Sequence, residues 1–300
     1  MKRPLIQRAP IFIILFVALM ASCAYFRKPD KPPPLPTIVE TKPPLTLKGE
    51  YFRSFPWDEL PKPRKDGNDP DTFTYTVKEG DKLETVAQKM MGDSNLAVGL
   101  ASYNELSSPM SVPVGEKLVI PFPILGMSCH VLIKAKGDKL FGAPETFDVQ
   151  FRTGDRFKMR FESNVDGHCY VFRQGLAKTQ MLYPPVIKSS KKEKKDKKPA
   201  IKRGDAEVKA HKSIEIPLEK KKAFIYKPKM TGDRVYFFVS LRQIPELEDL
   251  KEKKKIGAAD LEDVMHRVKE GDILSDPPIK LLRISDPSQV LGFVLNIKGE

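Results

Sequence analysis

Tyr75-Thr-Val-Lys-Glu-Gly-Asp-Lys-Leu83, followed by Val86-Ala87, Gly92-Asp93, Tyr103-Asn-Glu-Leu106 and Val114-Gly-Glu-Lys-Leu-Val-Ile-Pro121, is the stretch from which the fold is read. Thr74 to Val77 alternates as a short strand, and Lys78-Glu-Gly-Asp81 forms a turn. Asp81 is placed to cap a helix beginning just after it, with Glu84 as its capping-box partner. Leu83, Val86, Ala87 and Met90 recur at helical spacing and predict a short amphipathic helix that stops at Gly92-Asp93. Asp93 or Ser94 starts a second helix through Leu96, Leu100 and Tyr103, which ends at Asn104. Pro113-Val-Gly115 then turns the chain into a strand over Lys117–Pro121. The order is β-α-α-β.

Those residues, in that order, resemble a lysin-motif (LysM) domain. The resemblance implies two helices on a two-stranded antiparallel sheet, and binding of N-acetylglucosamine-containing glycans such as peptidoglycan. It also implies a shallow groove between the first strand–helix turn, Gly80, Asp81, Lys82 and Leu83, and the loop from Asn104 through Leu106 to Met110. Loop amides and carbonyls would pair with N-acetyl groups, while Leu83 or Met110 would offer an apolar surface to the acetyl methyl. Lys82 departs from the family, which usually has Thr or Ser there. A lysine could meet a carboxylate on the peptide stem, or simply replace a hydroxyl contact. Shallow sites bind weakly, so avidity from a second attachment would matter. Some LysM copies bind no glycan and serve structurally.

A second attachment is written at the N-terminus. Lys2, Arg3 and Arg8 precede an apolar run from Ile11 to Leu19, too short for the ~20 residues that cross a ~30 Å hydrocarbon core. It fits the apolar region of a secretory signal, residues 1–22. Leu19-Met-Ala-Ser-Cys23 resembles the bacterial lipobox, which implies cleavage after Ser22, thioether lipidation of Cys23 and acylation of its new amine by a palmitate-like chain. In such lipoproteins Asp after the Cys favours inner-membrane retention, so the resemblance with Ala24 implies, for a Gram-negative cell, the outer membrane, with the chain facing the periplasm. Residues 23–70 hold Lys31-Pro-Pro-Pro-Leu35, Lys42-Pro-Pro44 and Pro61-Lys-Pro63, a composition that favours extended polyproline II. About forty such residues reach on the order of 100 Å. Within them, Tyr51-Phe-Arg-Ser-Phe-Pro-Trp57 carries the single Trp of the chain. These aromatics either fold back onto a neighbouring domain or dock a partner or sugar.

Beyond the module, over 124–247, the periodicity becomes two. Val131–Ile133, Phe147–Phe151, Phe157–Phe161, Tyr170–Phe172, Met181–Tyr183, Ile214–Ile216 and Val235–Val239 read as strands of an antiparallel β-sandwich-like domain. The fold class expected is α+β. Thr153-Gly-Asp155, Asp166-Gly-His-Cys-Tyr-Val-Phe172 and Gly232-Asp-Arg-Val-Tyr-Phe-Phe-Val-Ser240 resemble an uncharacterised β-rich domain of exported bacterial proteins, across residues 145–245, which brings no known activity. Lys188-Ser-Ser-Lys-Lys-Glu-Lys-Lys-Asp-Lys-Lys198 cannot build a core, so 186–210 is expected as a disordered loop. Residues 248–300 are expected to add a helix over 258–269 and two strands, 279–284 and 290–297, that pair with each other or join the sheet.

The net charge of +13 sits largely in lysine-rich runs at 188–198, 219–222 and 251–255. They lack interleaved aromatics, and no nucleic-acid-binding motif accompanies them, so no nucleic-acid partner is expected. His130, His168, His211 and His266 lack metal-ligand spacing, and neither a metal nor another cofactor is implied. His168 and Cys169 are neighbours on a strand and point to opposite faces, which excludes a nucleophile–base pair. No nucleophile elbow or phosphate loop is present. Cys129 and Cys169 can form a disulfide or remain buried thiols. The sequence thus predicts a non-catalytic, lipid-anchored envelope protein that binds peptidoglycan and presents its β domain to an envelope protein partner. The alternatives are a structural subunit of an envelope or secretion complex with a non-binding LysM, or a LysM-targeted wall hydrolase.

Overall fold

Residues along β1 (Thr72–Thr76) alternate between half-buried and exposed after its first two positions, as a strand with one covered face does. The computed structural model describes residues 45–63, 71–108, 112–142, 144–145, 149–176, 178–187, 202–253, 255–257, 259–265, 268–270, 272–273 and 279–300. The expected signal peptide, Cys23, the tether before residue 45, Met110, His266 and the lysine run 188–198 lie outside the described residues. β1 pairs antiparallel with β2 (Lys117–Pro121), with Thr72 opposite Pro121 and Thr76 opposite Lys117. Between them, α1 (Leu83–Met91) buries Leu83, Val86, Ala87 and Met91, and α2 (Ala97–Tyr103) buries Ala97, Leu100 and Ala101. With Val77, Leu118 and Ile120 these side chains form one core. The β-α-α-β reading holds.

The chain ends each helix through left-handed backbone. Gly92, at φ 79°, donates its N–H to the Gln88 carbonyl. Glu105, at φ 55°, follows α2, and the Leu106 N–H bonds to the Ala101 carbonyl at 3.0 Å. That pattern is a Schellman end, which turns Leu106 back towards the helix it follows. Asp93 accepts from the Asn95 amide at 2.8 Å and opens the 3-10 turn leading into α2. One expectation is corrected. Asp81 does not cap α1; the cap position is Lys82, whose N–H donates to Thr85 Oγ1. Gly80 turns the chain so that Asp81 faces back onto β1 instead.

Two residues after β2, the chain enters a two-sheet sandwich. The first sheet is built on β3 (Ile124–Lys134), β4 (Arg156–Ser163) and the short β5 at its edge (Ile214–Ile216), all antiparallel. The second is built on β6 (Gly167–Gln174), β7 (Thr179–Tyr183) and β8 (Arg234–Ser240). The two final strands do not pair with each other. β9 (Ile279–Arg283) joins β3 in the first sheet, and β10 (Val290–Asn296) joins β8 in the second. The strands therefore join the sandwich, the second of the two arrangements expected for them. Leu125, Met127, Val131, Phe157 and Phe161 from one sheet meet Val171, Val235, Phe237, Leu291 and Phe293 from the other in a shared core.

The second sheet is covered on its outer face as well. Tyr170, Phe172 and Phe238 point away from the first sheet and pack on Ile244, Leu247, Leu250, Leu261 and Val264. This double burial explains why Val235-Tyr-Phe-Phe-Val239 reads as a continuous apolar run instead of an alternation. The helix expected over 258–269 is shorter: a 3-10 turn Ala259–Leu261, then α-helix Glu262–Met265, then a strand Val268–Glu270 parallel to β10. Leu261 and Val264 seat the helical turns, and Gly292 leaves room beside it for the β-branched Val268. The expected loop 186–210 is also narrower. Val186–Ile187 pairs with Lys202–Arg203, and Glu207–Val208 pairs with the start of β6.

The proline-rich linker is corrected at its C-terminal part. Residues 45–60 form a strap with two 3-10 turns, Gly49–Phe52 and Trp57–Glu59. Tyr51 and Phe52 are buried with Ile124 and Leu281 of the sandwich. Arg53 reaches Glu162 at 2.5 Å and His211 Nδ1 at 3.0 Å. Trp57 packs on the module, beside Tyr103 and over Gly99, where an added Cβ would overlap the indole. The aromatics fold back onto both neighbours. Further ties join module and sandwich: the Asp166 N–H donates to the Gly92 carbonyl at 2.7 Å, and Asp71 pairs with Arg283 at 2.5 Å.

Candidate functional site

Strand pairing brings the turn after β1 and the segment entering β2 to one end of the module. The Val77 N–H bonds to the Glu116 carbonyl and the Gly115 N–H to the Val77 carbonyl, both at 2.9 Å. The turn leaving β1 and the loop entering β2 therefore start from the same edge. In the turn, Gly80 is exposed at φ 81°, with open space where a Cβ would sit. Asp81 Oδ2 accepts from the Lys78 N–H at 2.8 Å and from the Tyr75 hydroxyl at 2.7 Å. Those two donors, the hydroxyl foremost, hold the Asp81 carboxyl below the usual carboxylate range, and the carboxylate in turn raises the Tyr75 hydroxyl. Asp81 thus braces the turn.

The remaining site candidates divide by role. Lys82 is exposed at the end of the turn. Leu83 does not offer the exposed apolar surface expected of it: it is 1 % exposed and belongs to the module core, because it is the first apolar position of the α1 stripe. Asn104 is committed to the backbone. Its Nδ2 donates to the Leu100 and Val119 carbonyls at 3.0 and 2.9 Å, and its Oδ1 accepts from the Val119 N–H at 2.7 Å. Those bonds clip the end of α2 to β2. Leu106 is half-buried against the same core, as its Schellman position dictates. Met110 lies outside the described residues. The solvent-facing surface of the turn is therefore main chain around Gly80 with Lys78, Glu79 and Lys82, framed by Asp81.

Other expectations settle away from this end. Cys129 and Cys169 lie on facing sheets as free, fully buried thiols, and burial pushes both well above their ordinary range. Cys169 enters the shared core while His168 beside it lines a cleft, as the strand period requires. Among the described residues, no group of three or more His, Cys, Asp or Glu side chains is placed to hold a metal. Among the same residues, no helix is long and apolar enough to cross a membrane. Sequence reasoning missed the network of Arg53, Glu162, His211 and Ser213, in which the Ser213 hydroxyl donates to Glu162 at 2.9 Å. The positive φ of His211, 57°, is not marked in the sequence.

Residues 75–121 match the LysM domain family. LysM domains bind peptidoglycan or chitin-like glycans. No curated protein and no solved structure matches the chain.

Proposed function

Because residues 75–121 are a LysM domain, we propose that the chain grips peptidoglycan without cleaving it, at the turn Lys78–Lys82, and holds its β-sandwich against the wall. The observation that carries this reading is the exposed, braced turn: Gly80 supplies the left-handed bend, and Asp81 fixes it through Tyr75 and Lys78. Main-chain amides held in place lose little ordering entropy when a sugar binds. The N-terminal signal and lipobox-like sequence support export and acylation of Cys23, and Ala24 supports the outer membrane as the anchoring leaflet. Lipid and glycan together would attach one chain at two points, and the second contact becomes intramolecular once the first forms. The sandwich then serves as the face offered to an envelope protein partner.

Sedimentation with purified sacculi tests the wall contact, and radiolabelled palmitate tests the anchor. The expected result is retention in the pellet, no clearing of peptidoglycan in a zymogram, and a label lost on Cys23→Ser. Protein left in the supernatant, or a clearing band, contradicts the reading. One observation favours a second reading, in which LysM is a docking fold inside an envelope complex: the module is locked to the sandwich through Gly92 and the strap, so its surfaces already serve internal packing. That reading requires the pellet to stay empty.

A further inference from the structure

Between α1 and the sandwich lies a cleft of about 670 Å³, within the size range of ligand sites. It is lined by Lys89 of the module and by Asp166, His168, Glu207, Lys209 and Arg242 of the sandwich. Neither part forms it alone. Asp166 is already used, since Oδ2 takes the Lys209 ammonium at 2.8 Å and Oδ1 takes the Ala210 N–H at 2.7 Å. That leaves Lys89 and Arg242 with Glu207 as the remaining carboxylate of the lining, an excess of one positive charge, and Asp286 is the carboxylate that feels Arg242 from outside the lining. His168 in the wall carries a buried Nδ1 without a hydrogen-bond partner. Gln88 and Gln243 add amides of the kind that read a peptide backbone.

Lys89 of the cleft also reaches towards the Lys78–Lys82 turn. Lys89 Nζ sits 5.8 Å from the centre of the Tyr75 ring, and the Tyr75 hydroxyl is bonded to Asp81. Asp81 and Lys89 are eight positions apart, most of them within α1, a rise of about 12 Å. An extended peptide of about four residues covers that distance. Resting on the wall-binding reading, we propose that this cleft is a second subsite, which takes the acidic peptide stem of a glycan held at the turn. Carboxylates of the stem meet Lys89 and Arg242, and its amides meet Gln88 and Gln243. The consequence is selectivity: a peptide-bearing glycan fills both subsites, whereas a chitin-like glycan, which has no peptide, fills only the turn.

The test is cosedimentation of the full chain with intact sacculi and with sacculi stripped of peptide by an amidase. Intact sacculi are expected to bind about fivefold tighter than stripped ones, with the difference shrinking as salt is added. Arg242→Glu, an exposed position on the sandwich, removes the difference while stripped sacculi still retain the protein. Equal binding of wild type to both preparations, or a preference that survives Arg242→Glu, overturns the second subsite and leaves the glycan turn standing. Failure to bind either preparation overturns the wall-binding reading and the subsite with it.

Discussion

Asn104 and Asp81 are short polar residues whose partners decide what they do. Asn104 satisfies two carbonyls and one amide where α2 meets β2. Asn104→Ala is expected to lower stability by about 2 kcal/mol, since it leaves half-buried backbone groups without partners; chemical denaturation measures this. Asp81 has a depressed carboxyl, so its contribution to the turn is fully present above the ordinary carboxylate value of 3.8. It is lost as pH falls through the lower folded value. A carboxyl carbon NMR titration should place its midpoint below 3.8, and the midpoint should move up on Tyr75→Phe. A midpoint unmoved by that exchange contradicts the brace. Cys129 and Cys169, buried and free, should resist thiol reagents in the native protein and react fully after unfolding without reductant. Silence after unfolding would reveal a disulfide.

At the scale of elements, the strap is the piece whose placement is most easily followed. Trp57 is the single tryptophan of the chain, and it lies against Gly99, where α2 has no side chain. Gly99→Ala should lift the indole off the helix and shift its emission to the red, although alanine is the better helix former by about 1 kcal/mol. Unchanged emission would mean that the strap does not dock there. The strap was only half legible in sequence, because Tyr51, Phe52 and Trp57 follow neither a helical nor a strand period. Both module helices and the major strands were legible, since each carries several apolar residues at one spacing. The short pairings were not. Glu207–Val208 and Lys298–Gly299 are two-residue strands, too brief to show any period. Nor does a strand name its sheet: β9 and β10 are separated by only a few residues yet enter opposite sheets. Around the candidate site, the left-handed turn was readable from Gly80, but Leu83 and Asn104 turn inward because their partners, the core and Val119, come from elsewhere in the fold.

For the molecule as a whole, the arrangement of module on sandwich matters more than either alone. A Cβ at Gly92 would come within 2.6 Å of Leu241 and 2.8 Å of Val165, so the end of α1 is seated directly on the sandwich. That seat fixes the Lys78–Lys82 turn in the frame of the β domain and leaves the cleft beside α1. The proposed wall grip can be tested with two matched substitutions. Gly80 and Gly137 both hold left-handed backbone, φ 81° and 104°, with open space around a would-be Cβ. Valine strains each turn through its backbone alone, but only Gly80 lies at the proposed glycan-binding turn. The most direct measurement is therefore quantitative cosedimentation of both variants with sacculi. Gly80→Val should lose at least about tenfold in affinity while Gly137→Val binds as wild type does; equal retention of the two variants would contradict the account.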